Sequence, residues 1–209
     1  MIVDSGIEAY LHRIQPAPSQ VLLEMESSGM KRGFPIIGPL VGRLCAQLAT
    51  AVGARSVFEM GSGFGYSTVW FAGAVGPKGR VVHTDGSAAL SREAQQWLGK
   101  ARLKSRVEFR VGDARDALRS EKGPFDVIFI DIDKEQYPDA WEIARKRVRK
   151  GGLILTDNTL WQGKVADAAI RDEATRGVRE YTRLALEDAT FATTVLPLRD
   201  GVAVSLRLR

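Results

Sequence analysis

Cysteine and histidine are scarce in this sequence, and their scarcity excludes several kinds of chemistry. The chain of 209 residues has one cysteine, Cys45, so no disulfide can form within it, which favours a reducing cytoplasm. Cys45 lies in an apolar segment typical of a buried helix. His12 and His83 are the only histidines, and no pairing of a nucleophile with a histidine base is indicated.

Long hydrophobic runs and blocks of like charge are also missing. No apolar run approaches the ~20 residues that a membrane-spanning helix needs, and no basic segment precedes an apolar one at the N-terminus. We therefore expect neither a membrane partner nor a signal peptide. The formal net charge of +5 comes from interspersed charges. It indicates either an ordinary soluble surface or attraction to an anionic partner, such as a coenzyme A thioester or RNA.

The N-terminal part of the chain differs in pattern from the rest. Residues 1–40 are predicted to hold N-terminal helices and a possible lid. One or two short helices, broken by Pro16 and Pro18, are predicted over residues 1–30, and residues 41–52 have the apolar spacing of a further helix. Residues 30–39 are rich in glycine and proline and are predicted to be a loop. We expect this loop to act as a lid that orders over a cofactor and excludes water.

Strand and helix patterns alternate through the remainder of the chain. A helix is predicted with Ser91 as its N-cap, and a long helix over residues 165–186. Two final strands meet at a hairpin turn, residues 199–201. We therefore predict one α/β domain over residues 1–209: a doubly wound, Rossmann-like, mostly parallel seven-stranded sheet with a C-terminal antiparallel hairpin.

A glycine-rich loop follows the first strand and opens a helix. Gly61, Gly63 and Gly65 permit a tight turn and let the backbone approach a ligand closely. Asp85 ends the second strand, where a carboxylate accepts hydrogen bonds from ribose hydroxyls. A nicotinamide-cofactor fingerprint needs a third glycine where Tyr66 stands. The pattern therefore predicts a nucleoside cofactor without a pyrophosphate, such as S-adenosylmethionine, and the alternative is a purely structural turn.

Other acids follow predicted strands at the same edge of the sheet. Glu59 is expected near the amino group of the cofactor's methionine part, and Asp113 with Ala114 near its adenine. The alternative for either acid is a solvated position in a loop.

Oxygen-bearing side chains end the fourth and fifth strands. Asp131 follows one strand, and Asp157 and Asn158 follow its neighbour. Because neighbouring parallel strands lie ~4.8 Å apart, these side chains can converge, and two carboxylates with an amide oxygen suit Mg²⁺. Lys134 lies three residues beyond Asp131. It is therefore close enough to this cluster to act as the base that removes a hydroxyl proton. The alternative is that these residues only cap helices and turns.

With these motifs in place, the sequence resembles the cation-dependent O-methyltransferases, the group that contains catechol and caffeoyl-CoA O-methyltransferases and bacterial relatives. The resemblance runs from about residue 30 to the C-terminus. The matching segments are residues 57–67, 129–134, 151–161 and 196–201. The pair Asp131 and Lys134, together with the run from Asp157 to Trp161, is specific to this group, whereas many methyltransferases share the glycine loop.

The resemblance implies a class I methyltransferase fold and two cofactors. These are S-adenosylmethionine and Mg²⁺, or another divalent cation such as Mn²⁺ or Ca²⁺. It implies that Asp131, Asp157 and Asn158 bind the metal. The catalytic residues that it implies are Lys134, as the base, and Asp131. The predicted cofactor-binding residues are Glu59, Gly61, Gly63, Ser67, Asp85, Asp113, Ala114 and Asp131.

Three functions are compatible with these features. We expect first an O-methyltransferase acting on a vicinal dihydroxy small molecule, and second a tRNA hydroxyuridine O-methyltransferase, which the basic charge would suit. The third is a non-catalytic cofactor-binding protein, against which Lys134 and the full ligand set argue. A basic surface formed by Arg171, Arg176, Arg179 and Arg183 would favour tRNA. The chain also lacks a clear insertion for gripping coenzyme A. We expect a homodimer.

Overall fold

The computed structural model describes residues 4–209, in which strands and helices alternate along most of the chain. The helices are α1 (Ser5–Ile14), α2 (Gln20–Arg32), α3 (Gly38–Ala51), α4 (Tyr66–Ala74), α5 (Ala88–Lys100), α6 (Ala114–Ser120), α7 (Tyr137–Arg147) and α8 (Glu173–Glu187). The strands are β1 (Ser56–Met60), β2 (Arg80–Asp85), β3 (Val107–Val111), β4 (Phe125–Ile130), β5 (Val148–Thr156), β6 (Phe191–Leu196) and β7 (Val202–Arg207).

The strands form one seven-stranded sheet in the order β3-β2-β1-β4-β5-β7-β6. The first five pair in parallel, and β7 lies antiparallel between β5 and β6. This confirms the predicted fold, including the C-terminal antiparallel hairpin. The chain leaves β1 toward β2 on one side and reaches β4 on the other. In such sheets, ligands bind beyond the carboxyl ends of the strands at this switch point.

Alternating side chains divide the core between the two faces of the sheet. Val57 and Phe129 are fully buried against α2–α5, whereas Phe58 and Ile128 are fully buried against α6–α8. Successive residues of a strand point to opposite faces, so a central strand covered on both sides is apolar at nearly every position. None of the helices in the described part of the chain is both long enough and apolar enough to cross a membrane.

Two predicted helix boundaries are wrong. Ser91 lies buried inside α5, and the N-cap is Ser87, whose side chain accepts a hydrogen bond from the backbone N–H of Leu90. The long helix predicted over residues 165–186 is shorter, because α8 begins only after Asp172. The Asp172 side chain accepts from the N–H of Thr175 and satisfies a free donor of the first turn, which fixes the start of α8 there.

The predicted loop at residues 30–39 is also shorter than expected. Helix α2 continues to Arg32 and ends at Gly33, which has a left-handed backbone with φ of 62°. Helix α3 already begins at Gly38, with Pro39 in its first turn, where the missing N–H of proline costs nothing. The irregular segment is therefore residues 33–37, which we call the lid segment.

Candidate active site

Backbone hydrogen bonds bring the ends of three strands into one row. The N–H of Asp131 donates to the carbonyl of Met60 at 2.8 Å, and the N–H of Asp157 donates to that of Ile130 at 3.1 Å. The parallel pairing of β1, β4 and β5 thus continues one residue past the strands. As a result, Gly61, Asp131 and Asp157 lie side by side at the carboxyl edge of the sheet.

The glycine loop packs directly on this row. Gly61 has φ of 80°, and a Cβ atom there would clash with the carbonyl oxygen of Asp131. Gly63 has φ of 51°, and its N–H donates to Oδ2 of Asp85 at 2.9 Å. Asp85 Oδ1 accepts from the N–H of Ser87 at 2.7 Å. These contacts fix the predicted ribose-binding carboxylate against the loop and explain why glycine is needed at both positions.

A cavity of about 270 Å³ lies over the loop and gathers most of the predicted cofactor residues. Its lining includes Gly61, Gly63, Ser67, Asp85, Asp131 and Lys134. The lid segment closes its other side through Phe34, Pro35 and Ile36. A Cβ atom on Gly63 would lie 3.1 Å from the ring of Phe34, so the lid segment is in contact with the loop.

Glu59 lies beneath the loop, away from the wall of this cavity. It is fully buried, and within residues 4–209 neither oxygen of its carboxylate has a hydrogen-bond partner. Burial raises the pKa of Glu59 to about 7, although the nearby hydroxyls of Ser62, Ser67 and Thr68 act in the opposite direction. Period-two alternation places Glu59 on the same face as Val57, under α4, which explains its burial. Its predicted place near the methionine amino group stays a prediction.

Asp113 and Ala114 lie at the start of α6 and do not line the smaller cavity. The Asp113 side chain caps the helix by accepting from the N–H of Arg115 at 2.7 Å. It also pairs with the Arg115 guanidinium, and hydrogen bonds from Arg115 lower the pKa of Asp113 to about 2. Ala114 is buried. The structure thus shows a capping role for Asp113, and its place near an adenine stays a prediction.

The predicted metal ligands lie together at the ends of β4 and β5. Asp157 is 5% exposed, and burial, followed by the charge of Asp131, raises its pKa to about 7. A buried carboxylate beside a second carboxylate forms a donor set that a cation would stabilise. No three His, Cys, Asp or Glu side chains in the described chain are placed to hold a metal ion. The predicted set is of another kind, since it adds the Asn158 amide to two carboxylates, and this chemistry suits a hard cation.

Lys134 contacts the same group. Its Nζ donates to Oδ1 of Asp131 and to the carbonyl of Ile132, both at 3.0 Å. The Lys134 side chain is 11% exposed and lies over the rings of Tyr137 and Trp161. These contacts hold the Lys134 amine beside Asp131.

A second, larger cavity of about 1130 Å³ opens beyond the predicted metal ligands. It shares Phe34, Pro35, Ile36, Asp131 and Lys134 with the smaller one, so the two cavities meet at the predicted base. Helices α1 and α2 contribute to its wall. Its lining includes Glu8, His12, Glu26, Met30, Asp157, Asn158, Trp161, Arg199 and Asp200. This arrangement can hold a methyl donor on one side of Lys134 and a hydroxyl acceptor on the other.

Some of these lining residues were missed by the sequence reasoning. Arg199 and Asp200 were assigned only to a hairpin turn, although they belong to the segment 196–201 that carries the family resemblance. Trp161 likewise ended a matching segment without a role. The resemblance was the only signal that pointed to them, because their contacts join parts of the chain far apart in sequence.

The strand order, the glycine loop and the carboxylate ending β2 define the S-adenosylmethionine-dependent methyltransferase class. Residues 21–208 match the family described as O-methyltransferase. The chain therefore belongs to the O-methyltransferase family, and the predicted enzyme class is confirmed.

Individual relatives agree with this assignment over nearly the whole chain. The catechol O-methyltransferase of Niastella koreensis is 30% identical, with 96% of this chain and 96% of the relative covered. The O-methyltransferase from Bacillus cereus in complex with SAH (S-adenosylhomocysteine) is 30% identical with a TM-score of 0.88, covering 97% of both chains. The O-methyltransferase TomG from Streptomyces achromogenes in complex with SAM is 26% identical with a TM-score of 0.88, covering 98% of this chain and 96% of the other.

Proposed function

We propose that this enzyme methylates one hydroxyl of a vicinal dihydroxy aromatic molecule, with S-adenosylmethionine as donor and a divalent cation, Mg²⁺ or a similar ion such as Mn²⁺ or Ca²⁺. The observation that carries the proposal is the meeting of two cavities at Asp131 and Lys134, with Asp157 and Asn158 on the larger one. The name of the Niastella koreensis relative supports a catechol-type acceptor.

The smaller cavity is the proposed donor site. The N–H groups and glycines of the loop, with Asp85, would hold the nucleoside, and Ser67 would border the methionine part. When bound, S-adenosylmethionine supplies a methyl group on a sulfonium sulfur, which an oxygen can displace directly. The SAH and SAM held by the Bacillus cereus and Streptomyces achromogenes enzymes support this assignment.

Asp131, Asp157 and Asn158 are the proposed metal ligands. When bound, the cation would supply positive charge for two adjacent acceptor oxygens and lower the pKa of one of them. The carboxylates themselves favour this role, because the burial and mutual repulsion that raise the pKa of Asp157 would be relieved by a cation. Three protein ligands leave coordination positions for two acceptor oxygens, which a single hydroxyl would not fill.

Lys134 is the proposed base. As an ammonium paired with Asp131 it cannot accept a proton, so it must first lose one to solvent. The acceptor's O–H bond would then break with the proton moving to Nζ, while the oxygen takes the methyl group and the carbon–sulfur electron pair stays on sulfur, so that S-adenosylhomocysteine leaves. Since the reaction needs no covalent enzyme intermediate, correct placement of the two reactants supplies much of the rate.

The arginines of the α8 region support a small acceptor over tRNA. Arg179 donates to the backbone carbonyls of Val165 and Ile170, and so holds together the segment before α8. Arg183 pairs with Glu180 and Glu187 on its own helix. Because these two guanidinium groups already have partners, they are less available to bind phosphate as part of the basic surface that would favour tRNA.

An acceptor comparison tests the proposal. The enzyme would be incubated with methyl-labelled S-adenosylmethionine, Mg²⁺ and, in separate reactions, a catechol, caffeoyl-CoA or tRNA that carries unmethylated hydroxyuridine. The proposal predicts label in the catechol product. Label in tRNA alone would replace it with the alternative function.

The homodimer and the cytoplasmic location stay predictions. Ile7, Tyr10 and Ile14 of α1 are 54%, 50% and 52% exposed, and an apolar helix face of this kind supports the expected homodimer. Sedimentation velocity would measure the mass. A single species at 22.9 kDa would contradict the dimer.

A further inference from the structure

The turn between β6 and β7 packs against the loop that carries Asn158. Asn158 Nδ2 donates to Oδ2 of Asp200 at 3.2 Å. A carboxylate only accepts hydrogen bonds, so the amide nitrogen must face Asp200 and the amide oxygen must point away from it. Both side chains line the larger cavity. The contact therefore decides which end of the Asn158 amide is free to act as a ligand.

The same turn holds the backbone of this loop. Asn158, Trp161 and Gln162 have φ of 54°, 45° and 55°, a left-handed conformation that asparagine tolerates but tryptophan and glutamine rarely adopt. The N–H of Leu160 donates to the carbonyl of Asp200 at 2.9 Å, and the N–H of Gln162 donates to Oδ1 of Asp200. Each Asp200 carboxylate oxygen thus has its own partner, one in the side chain of Asn158 and one in the strained backbone.

We propose that Asp200 is a positioning residue that turns the Asn158 amide oxygen toward the divalent cation and so sets the affinity for it. The inference rests on the metal site of the proposed function. Asp200 acts through Asn158 in this account and is not itself a ligand. An amide presents its oxygen to a cation in only one of its two orientations. A partner that accepts a hydrogen bond from the amide nitrogen holds the side chain in that orientation.

The test measures Mn²⁺ affinity directly, with the free ion counted by electron paramagnetic resonance and no acceptor present. The loss of an outer partner of a ligand typically weakens metal binding about 10- to 100-fold, and we expect D200A to fall in that range. D167A is the matched control, because Asp167 accepts a loop hydrogen bond from the N–H of Ala169 without lining either cavity. It should bind Mn²⁺ as the wild type does.

A double-variant cycle separates positioning from direct ligation. If Asp200 acts only through Asn158, N158A and N158A/D200A bind Mn²⁺ equally, whereas a direct ligand gives a further loss in the double variant. N158D/D200A should regain affinity, because a carboxylate presents an oxygen in either orientation. Circular dichroism and SAH binding report whether each variant is folded. If D200A is not folded, D200N replaces it. The D200N side chain has one acceptor oxygen in place of two, so it can accept from only one of the two donors, Asn158 Nδ2 or the N–H of Gln162.

The outcomes are distinct. Wild-type protein that binds no Mn²⁺ would overturn the metal site of the proposed function itself. Wild-type binding with equal affinity in D200A, or additive losses in the double variant, would overturn the positioning role alone.

Discussion

Lys134 Nζ lies 3.0 Å from Oδ1 of Asp131, on the wall that both cavities share. This single ion pair joins the proposed base to a proposed metal ligand. K134A should lose turnover by about 10²- to 10⁴-fold, the usual contribution of a positioned base, while keeping its affinity for metal and SAH. The defect should shrink as the pH rises toward the pKa of the acceptor, which the cation would lower from the ~10 of a free phenol, because the acceptor then ionises without help.

Steady-state rates across pH, with metal affinity measured separately, check this prediction. K164A is the matched control, since Lys164 also lies by the Trp161 ring, with its Nζ 5.4 Å from the ring centre, but lines neither cavity. A K134A defect of constant size at every pH would argue against a base.

Removal of Asp157 should separate metal binding from cofactor binding. D157A loses one charged ligand but leaves the glycine loop and Asp85 unchanged, so SAH affinity should stay within about threefold of wild type while methyl transfer falls about 100-fold or more. Calorimetric titration with SAH and a methyl-transfer assay give the two values. A loss of SAH affinity equal to the loss of rate would contradict separate sites.

The lid segment should depend on Arg199. The Arg199 guanidinium donates to the carbonyl of Ile36 at 2.7 Å, and its atoms lie where a Cβ on Gly38 would clash. R199L removes this hydrogen bond, so amide exchange in residues 33–37 should become faster, and SAH with metal should slow it again. Hydrogen exchange with mass spectrometry measures both effects.

R176L, on α8, is the control for the loss of an arginine. Unchanged exchange in R199L, or equal protection with and without SAH and metal, would show that residues 33–37 are a static loop.

Two buried groups should have opposing effects on stability as pH changes. Burial raises the pKa of Glu59 from 4.5 to about 7 and lowers that of His83 from 6.5 to about 4. As pH rises from 4.5 to 7, Glu59 ionises in the unfolded chain first, so its contribution to stability is lost. As pH falls from 6.5 to 4, His83 is protonated in the unfolded chain first, so stability is lost in that direction.

E59Q should therefore gain stability relative to wild type as pH rises from about 4.5 to 7, by up to roughly 3 kcal/mol for such a change in pKa. Urea unfolding at fixed pH values measures the difference. H83Q is the reciprocal variant, and its stability relative to wild type should rise as pH falls. Parallel pH profiles for wild type and E59Q would contradict the raised pKa.

Local and topological rules predicted much of the site. Asp131 and Asp157 follow adjacent parallel strands, and the geometry of a parallel sheet alone brings such positions together. The contact of Asp200 with Asn158 spans 42 residues and depends on β7 inserting beside β5, which no local pattern encodes. The start of α8 was missed for another reason, since the capping strength of Asp172 outweighed a helical pattern that extended before it.

The most direct test of the account is the rate of methyl transfer to a catechol and to the matching monophenol, each with Mg²⁺ and with excess chelator. We predict fast transfer to the catechol that stops in chelator, and far slower transfer to the monophenol, because only two adjacent oxygens can share the cation held by Asp131, Asp157 and Asn158. Full activity in excess chelator, or equal rates on the two acceptors, would contradict the account.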